Sequence, residues 1–254
     1  MSGRAPALAV LWPAERAGEV VPGEDAERGE PALRALYGLP GTAPGGRWVR
    51  ANMVSSLDGA AWGPDASTRS IGSPADLRVL KLLRAAADVV LVGAGTVRAE
   101  GYGLLRAGTE LAVVSRSGRL LGGQGLLRAE RDDGRSALVV TCAGAGTAAL
   151  ADLCAAVGDE RVVVAGDEQV DLPRALDALA ERGLRQVLCE GGPALLRDLL
   201  GAGLLDELCL TWSPLLAGGD AGRLLADGGP LVRPARLAHL LHAEGTLVGR
   251  WLLG

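Results

Sequence analysis

Apolar residues come in two rhythms along this chain. Short continuous runs of Val, Leu and Ala mark buried strands at residues 88–92, 111–115, 136–141, 161–165 and 186–189. Residues 49–55 read as a further strand, and it opens the pattern. Between these runs lie stretches with helical character. Residues 74–87 fit a helix: Ser73 can cap it, Pro74 suits its first turn, and Asp76 favours its positive end. Residues 172–182 make a second helix, ended by Gly183, and residues 193–200 a third. Apolar strands alternating with helices imply an α/β fold, with a mostly parallel sheet covered by helices on both faces. The end of the chain departs from this rhythm. Residues 236–242 and 246–252 flank Ala243-Glu244-Gly245 and read as an antiparallel hairpin.

The first 46 residues follow neither rhythm for long. Residues 8–12 suit a short strand and residues 25–36 a short helix, while residues 40–46 form a Pro- and Gly-rich linker. The expected organisation is an N-terminal extension, residues 1–46, packed on a main domain of residues 47–254.

Composition narrows the function classes. The chain has 254 residues and 48% hydrophobic residues, enough for a sizeable core. Phe is absent, so that core is built from Leu, Val and Ala. The formal charge is −4 with acids and bases mixed, which implies no broad basic face and argues against nucleic acid as a partner. Lys81 is the only lysine. This bias alone carries no function, although the planar guanidinium of Arg suits phosphate. Cys142, Cys154, Cys189 and Cys209 are widely spaced, and His239 and His242 are the only histidines. No zinc spacing or disulfide framework results, so no metal is expected and a reducing compartment is. Residues 5–12 lack a signal-peptide layout, and no apolar run is long enough to span a bilayer. The expected location is the cytoplasm, with no membrane partner.

Two glycine loops follow buried strands: Val92-Gly93-Ala94-Gly95-Thr96 and Cys189-Glu190-Gly191-Gly192-Pro193. Ligands of open α/β sheets bind at the carboxyl ends of strands. Glycine lets a phosphate approach the backbone, and a helix N-terminus adds free N–H groups and partial positive charge. A single such loop is usually just a turn; two on one sheet carry more weight. The first is not a Rossmann fingerprint, because Arg98 stands where the third glycine belongs. No acidic residue closes the next strand, which ends in Ser115-Arg116. That pair suits a ribose 2′-phosphate and so NADP over NAD, and an ordinary polar turn explains it equally well.

Ser56-Leu57-Asp58-Gly59, Val92 to Val97, Glu190-Gly191-Gly192 and Ser213-Pro214-Leu215-Leu216-Ala217-Gly218 occur in this order. From about Trp48 to the C-terminus the chain therefore resembles the pyrimidine reductase family of riboflavin biosynthesis, a relative of dihydrofolate reductase. The resemblance implies a dihydrofolate-reductase-like sheet, NADPH as cofactor and a homodimer. It also implies a reaction: hydride transfer to the ring-opened imine of 5-amino-6-(5-phosphoribosylamino)uracil, giving the ribitylamino product. Val54 and Ser55 match the stretch beside the nicotinamide. Thr96 and Glu100, in and after the Gly93–Gly95 loop, match cofactor contacts, and Ser115 with Arg116 matches the adenosine-phosphate contact. Gly191, Gly192, Pro193, Ala194, Leu195 and Leu196 match the pyrophosphate loop and helix. Thr68, Arg84, Leu104, Arg106 and Glu190 match substrate contacts.

Asp58 and Glu190 are the candidate catalytic carboxylates. Asp58 also fits a simple Asp-Gly turn, and Glu190 a helix-start carboxylate. Two residues depart from the family. Many members carry Lys where Asn52 stands, at the substrate, and Trp where Ser70 stands. Asn supplies no cation. The substrate is accordingly more open than the cofactor, with dihydrofolate or another small imine or carbonyl compound as an alternative. A nucleotide-binding protein without catalysis is a third reading. The His-x-Glu and Pro-Cys-x-x-Cys of zinc deaminases are missing, so deamination by that route is excluded.

Overall fold

The computed structural model describes residues 5–23, 31–38, 46–105, 108–119, 126, 136–225 and 228–254. Arg106, most of the 40–46 linker and the first half of the expected 25–36 helix lie outside the described residues. In chain order the elements are β1 (Leu8–Trp12), β2 (Val20–Val21), α1 (Pro31–Leu36), β3 (Trp48–Ser55), α2 (Pro74–Ala86), β4 (Val89–Gly93), α3 (Ala94–Glu100) and β5 (Glu110–Val114). They continue with β6 (Leu138–Thr141), α4 (Thr147–Val157), β7 (Val162–Val164), α5 (Leu172–Glu181), β8 (Gln186–Cys189), α6 (Pro193–Gly201), β9 (Glu207–Trp212), β10 (Ala235–Ala243) and β11 (Thr246–Leu253).

Two compact units divide the chain, one of residues 1–86 and 205–254, the other of residues 87–204. The second unit is the parallel α/β layer that the apolar runs imply. Its strands are ordered β8-β4-β5-β6-β7, and every pairing is parallel. Val89 to Val92, Leu111 to Val113 and Leu138 to Val140 are buried along their whole length, as strands covered on both faces must be. Helix α5 shows how the cover is made. Asp171 accepts the Arg174 N–H at 3.0 Å and caps the helix start. Leu172, Ala175, Leu176, Leu179 and Ala180 then face inward at helical spacing.

The first unit is mostly antiparallel. Its strand order is β2-β1-β10-β11-β9-β3, with only β3 and β9 parallel. The expected hairpin is present. Its turn residues Glu244 and Gly245 both have positive φ (49° and 82°), the pattern of a two-residue type I′ turn. Strand β9 has no counterpart in the sequence pattern, because Glu207 interrupts the apolar run there. The N-terminal segment contributes β1, which pairs with β10.

That segment is held by buried arginines. Arg78, on the inward face of α2, donates to the carbonyls of Pro6 and of Pro22 (2.6 Å). Arg250 donates to the Leu36 carbonyl at 2.7 Å and to Gly38 at 3.2 Å, and Arg50 donates to Tyr37 at 3.0 Å. These acceptors lie at the carboxyl end of α1, where a cation also suits the helix dipole. Both Arg50 and Arg250 pair with the fully buried Glu207, at 2.5 and 2.8 Å. Burial alone would raise the Glu207 carboxyl, but the two guanidiniums outweigh it and hold the group below the usual carboxylate range. His239 lies edge-on to Tyr37 with ring centroids 4.5 Å apart. Burial, then the nearby Arg250 charge, pushes its imidazole down to about 3.

Candidate active site

The two glycine loops meet in the second unit. β4 runs into Gly93 and α3; β8 runs into Glu190-Gly191-Gly192 and α6. The Gly93 N–H donates to the Gly191 carbonyl at 2.8 Å and ties one loop to the other. Gly191 has φ 79°, a left-handed conformation that side chains disfavour. The Gly191–Gly192 peptide is cis. A Cβ on Gly192 would stand 2.8 Å from the Thr96 hydroxyl oxygen, so glycine keeps the backbone surface here close to Thr96. Gly192 is the N-cap of α6 and offers no side-chain cap, and Pro193 lacks an N–H. The first turn of α6 thus presents backbone N–H groups with no side-chain acceptor at the cap. A glycine-lined backbone at a helix start fits a pyrophosphate. Pro193 is half-buried, Ala194 is exposed, and Leu195 and Leu196 anchor the helix in the core.

Glu190 is buried beside this loop. Its backbone N–H donates to the Leu91 carbonyl at 3.0 Å, which fixes the main chain against β4. Its Oε2 accepts a short hydrogen bond from the Tyr102 hydroxyl. Tyr102 follows Gly101, the left-handed C-cap of α3 (φ 65°). Sequence reasoning does not single out Tyr102; the only available signal was the glycine at position 101, which turns the chain out of the helix. Cys189 is fully buried, accepts the Gly191 N–H at 3.3 Å, and has its thiol pushed up to about 12 by burial. It is a packed core group at neutral pH.

The other residues singled out in this unit lie around the strand ends. Gly95 and Thr96 sit in the first turn of α3, and Glu100 ends that helix. Ser115 directly follows β5. It is buried, and its hydroxyl donates to the Arg119 carbonyl at 3.3 Å. Arg116 is exposed, and its carbonyl accepts from the Cys142 thiol at 3.4 Å. Leu104 is half-buried.

In the first unit, Asn52, Val54 and Ser55 are buried along β3. Asn52 pairs with Cys209 and Val54 with Thr211 across the parallel ladder. The amide oxygen of Asn52 has no hydrogen-bond partner. Asp58 lies just beyond β3. Its carboxylate accepts from the Ser56 hydroxyl, from the Ala217 N–H at 3.0 Å and from the Gly218 N–H at 2.8 Å. The Ser56 bond first, then the two backbone bonds, hold it well below the usual range. A carboxylate so placed stays ionised at neutral pH, and it clamps the 56–59 turn to the 217–218 loop. The Leu57 N–H reinforces this clamp by donating to the Leu215 carbonyl at 2.8 Å. Two of the quoted motifs therefore meet in space. Thr68 lies in a short 3-10 turn, where Ser67 caps through the Arg69 N–H. Neighbouring Ser70 donates its hydroxyl to Asp65 at 2.5 Å. Arg84 is on the last turn of α2 and is half-buried.

Among the described residues, no cluster of His, Cys, Asp or Glu could hold a metal ion. No helix among them is long and apolar enough to cross a membrane.

A parallel layer with two linked glycine loops at its strand ends defines an α/β protein with a candidate ligand site at those ends. Residues 47–248 match the RibD C-terminal domain, and the chain belongs to that family. A relative from Archaeoglobus fulgidus, named 2,5-diamino-6-ribosylamino-4(3H)-pyrimidinone 5′-phosphate reductase, is 28% identical over 202 residues. That match covers 75% of this chain and 90% of the relative. The riboflavin biosynthesis protein RibD of Bacillus amyloliquefaciens is 26% identical over 206 residues, covering 80% of this chain and 55% of the relative. The crystal structure of a pyrimidine reductase-like protein from Corynebacterium diphtheriae superposes with a TM-score of 0.75 at 26% identity. It covers 87% of this chain and 98% of that one.

Proposed function

We propose that this protein is an NADPH-dependent reductase of a phosphoribosylaminopyrimidine. The observation that carries the reading is the Gly93–Gly191 link, which joins two glycine loops at the start of α6 in a chain of the RibD C-terminal domain family. When bound, NADPH would supply a hydride to the ribose carbon of the ring-opened imine and leave as NADP⁺, while solvent supplies the proton to the imine nitrogen, so that the ribosylamino group becomes ribitylamino. The protein contributes alignment more than covalent chemistry. The backbone of Gly191 to Leu196 holds the pyrophosphate, with Gly93, Gly95, Thr96 and Glu100 beside it. Arg116, exposed after β5, takes the 2′-phosphate as a planar donor, and Ser115 shapes the strand end from which it projects. Val54 and Ser55 are assigned to the nicotinamide, and Asn52, Thr68, Arg84, Leu104, Arg106 and Glu190 to substrate. Asp58 orders the 56–59 turn. The enzyme works as a homodimer in the cytoplasm, where its four free cysteines stay reduced.

Titration with NADPH and NADH, followed by NADPH oxidation with 5-amino-6-(5-phosphoribosylamino)uracil and with its 2,5-diaminopyrimidinone counterpart, tests this reading. Saturable NADPH binding and turnover of either pyrimidine are expected. Failure to prefer NADPH, or turnover of neither compound, removes it. A second reading keeps the cofactor and changes the substrate to dihydrofolate or another small imine. Asn52 favours it, because its buried amide oxygen lacks a partner and the residue carries no positive charge. Dihydrofolate in the same assay separates the two readings.

A further inference from the structure

We propose that Tyr102 is a positioning residue for Glu190, fixing the carboxylate that meets the pyrimidine. This rests on the reading above that Glu190 faces substrate. Glu190 is buried, and a buried carboxylate on a flexible stem needs partners to hold one rotamer. Its main chain is already fixed by the Leu91 carbonyl. The Tyr102 hydroxyl then takes Oε2, which sets the plane of the carboxyl group. Gly101 makes this geometry reachable, because its left-handed turn ends α3 one residue before Tyr102. The phenol donates a single hydrogen bond through its hydroxyl, so it orients the carboxyl group. A carboxylate oriented in this way selects for a ligand edge that carries N–H or O–H donors, as an aminopyrimidine and its sugar hydroxyls do. The loop that holds the pyrophosphate starts at the next residue, so Tyr102 acts on the substrate end of the loop and not on the cofactor end.

Tyr102→Phe removes one oxygen and keeps the ring. The expected result is a fall of about tenfold to a hundredfold in kcat/KM for the pyrimidine, the loss of one charge-assisted hydrogen bond. NADPH affinity should change by less than about twofold, the factor allowed for a contact not made. The pair is then read as a double-mutant cycle with Glu190→Ala, using calorimetric affinity for the ribitylamino product, which does not need turnover. In the Glu190→Ala background, adding Tyr102→Phe should change product affinity by less than about twofold. Additive losses overturn the proposal, and so does an equal loss of NADPH affinity, which would mark Tyr102 as a support of the whole loop. Thermal unfolding of each variant distinguishes misfolding, and Tyr102→His, which retains a donor, should recover part of the activity. If the wild-type protein neither turns over the pyrimidine nor binds its product, the reading of Glu190 fails and this inference fails with it. If the wild type does both and the cycle is additive, the inference alone fails.

Discussion

Beneath the N-terminal segment of the first unit, the buried charges find their counter-charges within the chain. Glu207 is shared by Arg50 and Arg250, and the same guanidiniums satisfy the carbonyls of Leu36, Tyr37 and Gly38. At the glycine loops of the second unit, Gly192 caps α6 without a side chain. The first arrangement closes a site on itself and stabilises the fold. The second keeps backbone donors at a helix start, with glycine leaving room for a ligand to approach. Both regions are built from strand ends and helix ends. What separates them is whether the protein supplies the counter-charge, and that marks one as scaffold and the other as the candidate binding site.

The largest effect should come from the closed region. Glu207→Ala leaves two buried guanidiniums unpaired and should cost about 3–5 kcal/mol in urea unfolding. A loss below about 1 kcal/mol, the range of an exposed pair, would erase the contrast. The same region gives a pH dependence. His239 is held neutral down to about 3, whereas an unfolded His takes a proton near pH 6.5. Below pH 6.5 the unfolded chain therefore binds a proton that the native chain refuses. This part of the stability falls as pH drops from about 6.5 towards 3, and it is constant above that window. His239→Phe should flatten that segment of the stability-versus-pH curve; an unchanged slope would place the titration elsewhere.

In the open region the expected effects are on binding. Gly191→Ala forces a side chain into a left-handed conformation and should cost about 1–2 kcal/mol of stability, with a clear loss of NADPH affinity. Unchanged NADPH affinity would detach this loop from the cofactor. Arg116→Ala should leave thermal stability unchanged and weaken NADPH about tenfold more than NADH, a difference of about 1.4 kcal/mol. Equal weakening would put the 2′-phosphate elsewhere. The smallest effect belongs to Asp58. Its carboxylate sits below the usual range, so its contribution is present above about pH 3.9 and is lost as the pH falls below that value. Asp58→Asn should remove that acid limb and loosen the 217–218 loop, visible as faster amide exchange of Ala217 and Gly218.

Much of the architecture was legible from local pattern alone. Strands β4 and β5, the helix starts at Ser73 and Leu172, the C-terminal hairpin and both glycine loops each depend on residues next to one another in sequence. Period, capping and turn chemistry act over that range, so a linear reading finds them. The helix at Thr147–Val157 is not legible in the sequence, because its Ala-rich run buries only Leu153 and Val157 and has little periodic contrast. The parts decided by tertiary structure are pairings between distant positions. Glu207 opens a buried strand only because Arg50, 157 residues away, and Arg250, 43 residues away, neutralise it. Tyr102 reaches Glu190 across 88 residues, and β1 finds β10 from the opposite end of the chain. A charge or a hydroxyl has no readable role until its partner is in place. Local periodicity carries information about which face is buried, and only the folded chain determines which buried group answers another.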